Sequence, residues 1–424
     1  MRYHYSSSFL GVVLTARVAF SKRSWPYLAA IAVPWLLCAG QRCVTRLADL
    51  AAHPRSLSGY YRFLSDGKWR LTLFWRALFE VIVRTFPTPT LTLVLDDTLV
   101  PKWGRHIFGT GTYFDHVARP RPGYIWGHNW VVLAVVVGLG PTASVALPFW
   151  VRLYRRKGDC RPGEFRTRHE LAQEALDAVR SWYAGAILLL ADGAYNVASL
   201  VTPARALEIH LVSRLRSNAV LRDLEVPGRR PGRPGRPRKW GHRLGSLPGL
   251  ARVPGAFTPA EVALYGRRVT LRLREFAAYS PALGRAIKVV ITRDPTRPTR
   301  VAYLMSTDVT LPAVALVEAY ARRWTVEQLF AVAKTHLGFD SAEVRKPRAV
   351  ARHAALTLAL ITWTEVWWRR VRPQAQVRSF ATKLGALRTH AITEAIFASG
   401  PRTRRARRNA EALAGLFRTA TSAA

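Results

Sequence analysis

The sequence predicts an α/β fold with a β-rich insertion and helical regions at both ends. Three observations support this prediction. Apolar residues recur with a helical period through residues 1–88, and strand-like and helix-like runs alternate through residues 89–217. A glycine-, proline- and arginine-rich loop then opens a second β-rich segment. With 424 residues, 49% of them apolar, the chain can bury the cores of two or three domains.

Residues 1–88 are predicted to be helical. Four segments carry the helical period: Trp25–Ala39, Val44–Ala52, Gly59–Leu64 and Trp69–Phe86. Two interpretations of this region remain open. It is either a DNA-binding module or a helical cap on the core that follows.

Residues 89–217 are predicted to form the first part of a central sheet. The strand Leu91–Leu95 comes first, followed by a hairpin with the arms Trp130–Val137 and Ser144–Val151. The uncharged hairpin segment is long enough to span a bilayer, but a Gly-Leu-Gly-Pro turn divides it, which favours buried strands. The order β-β-β-α-β-α-β is completed by Thr167–Ala184, Ala186–Ala191, Val197–Ala206 and Glu208–Val212.

The remainder of the chain divides into three predicted regions. Residues 218–310 form a basic β-rich insertion, residues 311–345 a helical part of the core, and residues 346–424 a basic helical C-terminal region with a run of arginines between Arg402 and Arg408. Predicted elements are the strands Arg268–Leu273, Ile287–Thr292 and Val301–Ser306, and the helix His353–Trp368.

The charge indicates a polyanionic partner. The formal net charge is +38, from 64 basic and 26 acidic residues, and most of the cations are arginine. Such an excess is self-repelling unless a polyanion neutralises it, so DNA or RNA is the first candidate partner and an anionic membrane the second. Of these we expect double-stranded DNA and no membrane. Three cysteines without metal-ligand spacing indicate a reducing compartment. We therefore expect a cytoplasmic protein, associated with a bacterial nucleoid.

Because acids are scarce, the carboxylates at strand ends are informative. Asp96 and Asp97 follow one apolar strand, Asp192 follows another, and Glu327 lies on a later helix. Ligands gather beyond the carboxyl ends of strands in an open α/β sheet. Three converging carboxylates need a counter-ion, and hard oxygen ligands favour Mg²⁺ or Mn²⁺, so we expect two such ions. Each aspartate is also compatible with an ordinary turn.

Four polar residues near Glu327 form a pattern of their own. Tyr320, Arg323, Glu327 and Lys334 are spaced +3, +4 and +7, which places them within about 60° of arc on one helix. Such a stripe suits a surface that meets a phosphate backbone and a metal ion together. The alternative is an exposed helix stabilised by the i,i+4 pair of Arg323 and Glu327.

Three motifs resemble those of DDE transposases of the IS4-like and IS701-like insertion-sequence group. The block Leu95-Asp-Asp-Thr-Leu-Val-Pro-Lys-Trp-Gly104 resembles the first-aspartate motif, and Leu190-Ala-Asp-Gly-Ala-Tyr195 resembles the second. Residues 320–334 match the Y-(2)-R-(3)-E-(6)-K signature at every interval. The resemblance covers roughly residues 90–345 and implies an RNase H-like core.

The resemblance also implies roles for individual residues. Asp96, Asp192 and Glu327 would be the catalytic metal ligands, and Tyr320, Arg323 and Lys334 would contact phosphates near a transposon end. The family motif Asp-x-Thr selects Asp96, with Asp97 as the alternative. The implied activity is metal-dependent cleavage at terminal inverted repeats and strand transfer into target DNA, carried out by a homodimer.

Further basic residues are candidate DNA contacts. Lys102 and Arg105 follow the first aspartates and could reach DNA at the rim of the site. A proline-stiffened basic strip resembles an AT-hook, which binds a narrow minor groove, but is equally compatible with a flexible linker that contacts phosphates. Its cations are Arg230, Arg233, Arg236, Arg238 and Lys239.

Two other functions compete with transposition. A non-catalytic DNA-binding protein derived from a transposase would keep the fold, but the presence of all three acids argues against it. An RNase H-type enzyme would act on RNA–DNA hybrids and would need neither the stripe nor the insertion.

Overall fold

The structure, a computed structural model, describes residues 7–38, 40–51, 55–115, 123–140, 143–226, 239–253, 255–372 and 378–398. Its helices in chain order are α1 (Ser7–Val13), α2 (Trp25–Leu37), α3 (Val44–Asp49), α4 (Leu57–Ser65), α5 (Leu71–Thr85), α6 (Arg168–Trp182), α7 (Ala198–Ala206), α8 (Leu247–Leu250), α9 (Ala313–Arg322), α10 (Thr325–Leu337), α11 (Pro347–Val371) and α12 (Phe380–Ala398). Short 3-10 turns cover Leu14–Ala19, Lys157–Asp159 and Gly193–Tyr195.

The described strands form a single ten-stranded mixed sheet. They are β1 (Leu91–Pro101), β2 (Gly111–Asp115), β3 (Gly123–Gly138), β4 (Ser144–Tyr154), β5 (Ile187–Ala191), β6 (Ile209–Arg214), β7 (Thr258–Leu264), β8 (Arg267–Ser280), β9 (Arg285–Asp294) and β10 (Arg297–Ser306). The order is β2-β3-β1-β5-β6-β10-β9-β8-β7, and β4 also pairs with β3. Helices and apolar strands share one continuous core.

The strand β1 has one antiparallel and one parallel neighbour. This strand is antiparallel to β3 from Leu93 to Pro101 but parallel to β5 only from Leu91 to Leu95. The apolar interior of β3 and β4 explains the hairpin, because strands that are covered on both faces carry nearly continuous apolar runs. Asp96 and Asp97 were predicted at the end of a short strand and instead lie within β1, since its pairing with β3 continues beyond them.

The N-terminal helices pack as a cap on the core. The buried guanidinium of Arg352 in α11 donates hydrogen bonds to the carbonyl oxygens of Phe63, Leu64, Gly67 and Trp69, at 2.8–3.4 Å. The indole of Trp35 in α2 donates to the carbonyl of Leu337 at 3.0 Å. These bonds join the helices before residue 88 to those after residue 311, which favours the cap over an independent module.

The predicted insertion does not form a separate sheet. The strands β7 to β10 extend the central sheet, because β10 pairs antiparallel with β6. The four N-terminal helices agree with the structure to within about three residues, and the predicted hairpin arms lie within β3 and β4. However, β3 begins at Gly123 and not at Trp130, and α1, α8, β2 and β7 were not predicted. Among the described residues, no helix is long and apolar enough to cross a membrane.

Candidate active site

Asp96 and Asp192 lie side by side where the parallel pairing of β1 and β5 ends. Leu95 is the register partner of Ala191, and an aspartate follows each of them directly. Neighbouring strands are about 4.8 Å apart, so the two aspartates start from adjacent backbone positions. The sequence prediction that Asp192 directly follows its strand is confirmed.

The side chains of Asp96 and Asp97 have different partners on opposite faces of β1, because successive residues of a strand point to opposite faces. Asp96 Oδ2 accepts a hydrogen bond from Arg323 at 3.0 Å. The carboxylate of Asp97 instead accepts hydrogen bonds from Arg168 at 2.9 Å and from the hydroxyl of Tyr195 at 3.0 Å. Asp96, and not Asp97, therefore contacts the arginine that also binds Glu327.

Arg323 bridges two of the predicted catalytic carboxylates. One guanidinium nitrogen lies 3.0 Å from Asp96 Oδ2, and the other lies 2.7 Å from Glu327 Oε1. The arginine side chain is only 14% exposed, while that of Glu327 is 37% exposed. The alternative i,i+4 pair of the sequence analysis is thus present, but it is part of a larger cluster at the sheet and is not an isolated surface contact.

The predicted single helix that carries the polar stripe is two helices. α9 ends at Arg322 and α10 begins at Thr325. The hydroxyl of Thr325 donates to the carbonyl of Arg322 at 2.8 Å, and this side-chain bond competes with the helical backbone pattern. The backbone bonds of the turn also span three residues, so Arg323 lies in a tight turn between the helices.

The other two members of the stripe contact the same region. The ring of Tyr320 lies 5.8 Å from the guanidinium carbon of Arg323. The ammonium group of Lys334 donates to the carbonyl of Leu99 in β1 at 2.9 Å, which fixes α10 beside the strand of Asp96. Lys334 is therefore bound to the protein backbone in this structure, and the phosphate contact that the resemblance implies for it stays a prediction.

Burial and neighbouring acids shift the protonation of Asp96. Burial raises the pKa of Asp96 to about 7; Arg323 lowers it, while the charges of Asp97 and Asp192 raise it further. Burial also raises the pKa of Tyr320, and the charge of Asp192 adds to that effect. The influence of Asp192 on both groups places all of them in one electrostatic cluster.

Asp97 and Tyr195 form a second cluster on the other side of the strand. Tyr195 is 2% exposed, and burial and the carboxylate of Asp97 raise its pKa well above the ordinary value, so its hydroxyl stays protonated. Tyr195 belongs to the Asp-Gly-Ala-Tyr motif, but no role was predicted for it. The contact of Arg168 was not predicted either, because nothing in the sequence connects the start of α6 with β1.

The predicted convergence of three carboxylates is incomplete. Among the described residues, no three carboxylate, imidazole or thiolate groups lie close enough together to bind one metal ion. Asp96 and Asp192 are adjacent, but the guanidinium of Arg323 lies between Asp96 and Glu327. The physical reason is that the positive charge of Arg323 neutralises the two acids.

The predicted DNA contacts outside the stripe have different environments. Lys102 is buried, and its ammonium donates to the carbonyls of Asp340 and Ala342 at 2.6 and 3.1 Å. It was predicted to reach DNA at the rim of the site, but in this structure it does not face solvent. The neighbouring Trp103 is 95% exposed. Arg105 and Lys239 are exposed. The remaining cations of the basic strip lie outside the described residues: Arg230, Arg233, Arg236 and Arg238.

The tip of the β7–β8 hairpin reaches this region from the predicted insertion. Tyr265 has a positive φ of 50° and packs edge-to-face against Trp324, with ring centroids 6.3 Å apart. Trp324 directly follows Arg323, so the hairpin contacts the turn that carries the bridging arginine.

Comparison with known families agrees with this geometry. Residues 18–274 match the family model described as DDE superfamily endonuclease, which is more than half of the chain. The chain belongs to the DDE superfamily of endonucleases. Enzymes of this superfamily act on DNA and generally use divalent metals. The matched segment of this DDE protein contains Asp96 and Asp192 and ends before Glu327. No curated protein gave a significant match.

Proposed function

We propose that this DDE protein is a transposase of the IS4-like and IS701-like insertion-sequence group. It cleaves DNA at the terminal inverted repeats of its own element and transfers the ends to target DNA. The strands β4-β3-β1-β5-β6 would form an RNase H-like core. One observation carries the proposal: Asp96 and Asp192 lie side by side at the end of a parallel strand pair, and one arginine ties Asp96 to Glu327.

The donor set fits a divalent cation. Carboxylate oxygens are the ligands that Mg²⁺ prefers, and the partly buried guanidinium between Asp96 and Glu327 marks a position where these acids require positive charge. We propose Asp96, Asp192 and Glu327 as the residues that hold two Mg²⁺ or Mn²⁺ ions. When bound, such a pair activates a water or a 3′-hydroxyl and stabilises the leaving oxygen.

The other residues of the cluster bind and orient the substrate. Arg323 can exchange its two carboxylate partners for two phosphate oxygens, because a guanidinium binds both groups in the same bidentate geometry. Tyr320 lies beside it and donates through a hydroxyl that stays protonated. The exposed cations Arg105 and Lys239 would contact more distant phosphates. A complex that holds two DNA ends requires two copies of the chain.

A cleavage assay tests this proposal. A supercoiled plasmid that carries the terminal repeats is incubated with the full-length protein and Mg²⁺, after inverted repeats have been located in the DNA that flanks the gene. We expect nicking that is lost in Asp96→Asn, Asp192→Asn and Glu327→Gln. The matched control Glu174→Gln removes a carboxylate whose arginine partner lies 3.0 Å away on the protein surface, and it should cleave normally.

Asp97→Asn decides between the two adjacent aspartates. Because Asp97 contacts Arg168 and Tyr195 on the opposite side of β1, we expect reduced but measurable cleavage. Abolition of cleavage in Asp97→Asn only, with Asp96→Asn active, would reverse the assignment. Sequence-specific binding without nicking would favour the non-catalytic DNA-binding alternative, and cleavage of RNA–DNA hybrids would favour an RNase H-type enzyme.

A further inference from the structure

A chain of hydrogen bonds connects Asp96 to Asp192 through two residues that face away from the candidate site. The backbone N–H of Asp97 donates to Asp96 Oδ1 at 2.9 Å. The hydroxyl of Tyr195 donates to Asp97 Oδ1 at 3.0 Å, and the backbone N–H of Tyr195 donates to the carbonyl of Asp192 at 3.0 Å. Asp97 and Tyr195 thus link β1 to the turn that follows β5.

The first turn of α6 contacts both Asp97 and the turn that follows β5. Arg168 donates to Asp97 Oδ2 at 2.9 Å. His169 lies within hydrogen-bonding distance of the carbonyl of Ala194, at 3.1 Å, and its ring packs edge-to-face on Tyr195. The capping box of Thr167 and Glu170 fixes the start of the helix. Three separate elements therefore meet at the Asp97–Tyr195 contact.

The ladder between β1 and β5 ends directly before the two aspartates. Parallel pairing of β1 with β5 stops at Leu95 and Ala191, so no ladder bond follows between the two strands at the level of Asp96 and Asp192. The turn after β5 is a short 3-10 segment from Gly193 to Tyr195. The buried side chain of Tyr195 ties this turn to β1 through the hydrogen bond of its hydroxyl to Asp97.

We propose that Asp97 and Tyr195 are positioning residues that hold the carboxylates of Asp96 and Asp192 in register for a divalent cation. The inference rests on the proposed function, which makes Asp96 and Asp192 ligands. Groups that orient metal ligands without touching the metal commonly contribute a factor of about 10 to 100 in metal affinity. Here the orientation acts through the backbone N–H of Asp97 and through the turn that carries Asp192.

The test is Tyr195→Phe, which removes one hydroxyl and keeps the buried ring. Tyr113→Phe is the matched control, because Tyr113 is also buried and its hydroxyl donates to a backbone carbonyl at 3.1 Å, on β2 and away from the carboxylates. Binding of Mn²⁺ to the full-length protein is measured by electron paramagnetic resonance of the free ion, and thermal unfolding is measured in parallel.

We expect both variants to lose a similar amount of thermal stability, but only Tyr195→Phe to bind Mn²⁺ about tenfold or more weakly than the wild-type protein. Asp97→Asn provides a second comparison, since its side-chain oxygen can still accept from Tyr195. It should weaken Mn²⁺ binding less than Asp96→Asn does. Should Tyr195→Phe not fold, this second comparison alone decides.

Two results would overturn the inference, and they differ from failure of the proposed function. Mn²⁺ affinity that is equal in Tyr195→Phe, Tyr113→Phe and wild-type protein would reduce Tyr195 to a packing residue. Loss of Mn²⁺ binding in Asp97→Asn as complete as in Asp96→Asn would make Asp97 a ligand. If the wild-type protein neither binds Mn²⁺ nor nicks the repeat-bearing plasmid, the proposed function itself is wrong, and the inference falls with it.

Discussion

The bridge formed by Arg323 predicts that this residue competes with metal. Its guanidinium contacts Asp96 and Glu327 at 3.0 and 2.7 Å, so a cation that is shared by these acids must displace it. Arg323→Gln removes the charge and keeps much of the side-chain length. We expect the variant to bind Mn²⁺ more tightly than the wild-type protein, although it should cleave DNA less well.

The expected change in Mn²⁺ affinity follows from the burial of the ion pairs that Arg323 makes. Breaking a buried ion pair costs about 3–5 kcal/mol, and we take about 2–3 kcal/mol here because Glu327 is 37% exposed. In the wild-type protein, the free energy of metal binding must offset this cost before the metal can displace the arginine. At 1.4 kcal/mol for each factor of ten, its removal should tighten Mn²⁺ binding by a factor of about 30 to 100.

The same substitution changes the pH dependence of stability. The pKa of Asp96 is already raised to about 7 from its ordinary value of 3.8, so the folded state holds this proton more tightly than the unfolded state does. The contribution of Asp96 is therefore most favourable at low pH and is lost as the pH rises through 7. Without Arg323 its pKa rises further, and we expect Arg323→Gln to be destabilised more at pH 8 than at pH 6.

Calorimetric titration with Mn²⁺ and denaturant unfolding with and without Mn²⁺ measure these effects. Arg152→Gln is the control, since Arg152 lies 3.0 Å from Glu174 in an exposed pair that should not influence metal binding. Equal or weaker Mn²⁺ binding by Arg323→Gln would refute competition between the arginine and the metal. Cleavage at the wild-type rate by the same variant would refute the proposed phosphate contact.

Three further predictions concern the stability of the fold. Burial lowers the pKa of His128 to about 4 from 6.5, so the wild-type protein should lose about 3 kcal/mol as the pH falls from 6.5 to 4, at about 1.4 kcal/mol per pKa unit. His128→Gln should remove that slope in denaturant unfolding; an unchanged slope would contradict the assignment. The ammonium of Lys383 lies 2.6 and 2.8 Å from the two carboxylate oxygens of buried Glu365, so Lys383→Met should cost about 3–5 kcal/mol, and a second substitution Glu365→Leu should restore most of the loss. Tyr265→Asn should stabilise the β7–β8 turn by about 0.5–1 kcal/mol, because asparagine tolerates the positive φ before Gly266 better than tyrosine does; a lower unfolding temperature would show that the contact of Tyr265 with Trp324 outweighs the backbone strain.

Much of the fold is predictable from local patterns. The apolar runs of β3 and β4 are long and divided by a glycine-proline turn, so their strands and hairpin follow from the sequence. The helix α6 begins at the capping box of Thr167, which is a local signal as well. The extension of the central sheet by β7 to β10 could not be predicted, because the pairing of β10 with β6 joins residues that are far apart in the chain.

The candidate site, like the fold, was predictable from the sequence only in part. Residue type and spacing singled out Asp96, Asp192, Arg323 and Glu327, since scarce carboxylates after apolar strands and a polar stripe can be recognised in the sequence itself. The length of β1 and the break before α10 were mispredicted. Both depend on competing hydrogen bonds, with β3 in one case and with the hydroxyl of Thr325 in the other.

The amino-acid sequence alone determined which residues are the candidates for the chemistry, because the type and order of side chains are fixed before folding. Only the tertiary structure decided their partners. It placed Asp96 and Asp97 on opposite sides of one strand, set Arg323 between two acids, and bound the ammonium groups of Lys102 and Lys334 to backbone carbonyls. Partners are decided at this level because a charged side chain binds whichever opposite charge or carbonyl the packing of distant segments brings within about 3 Å.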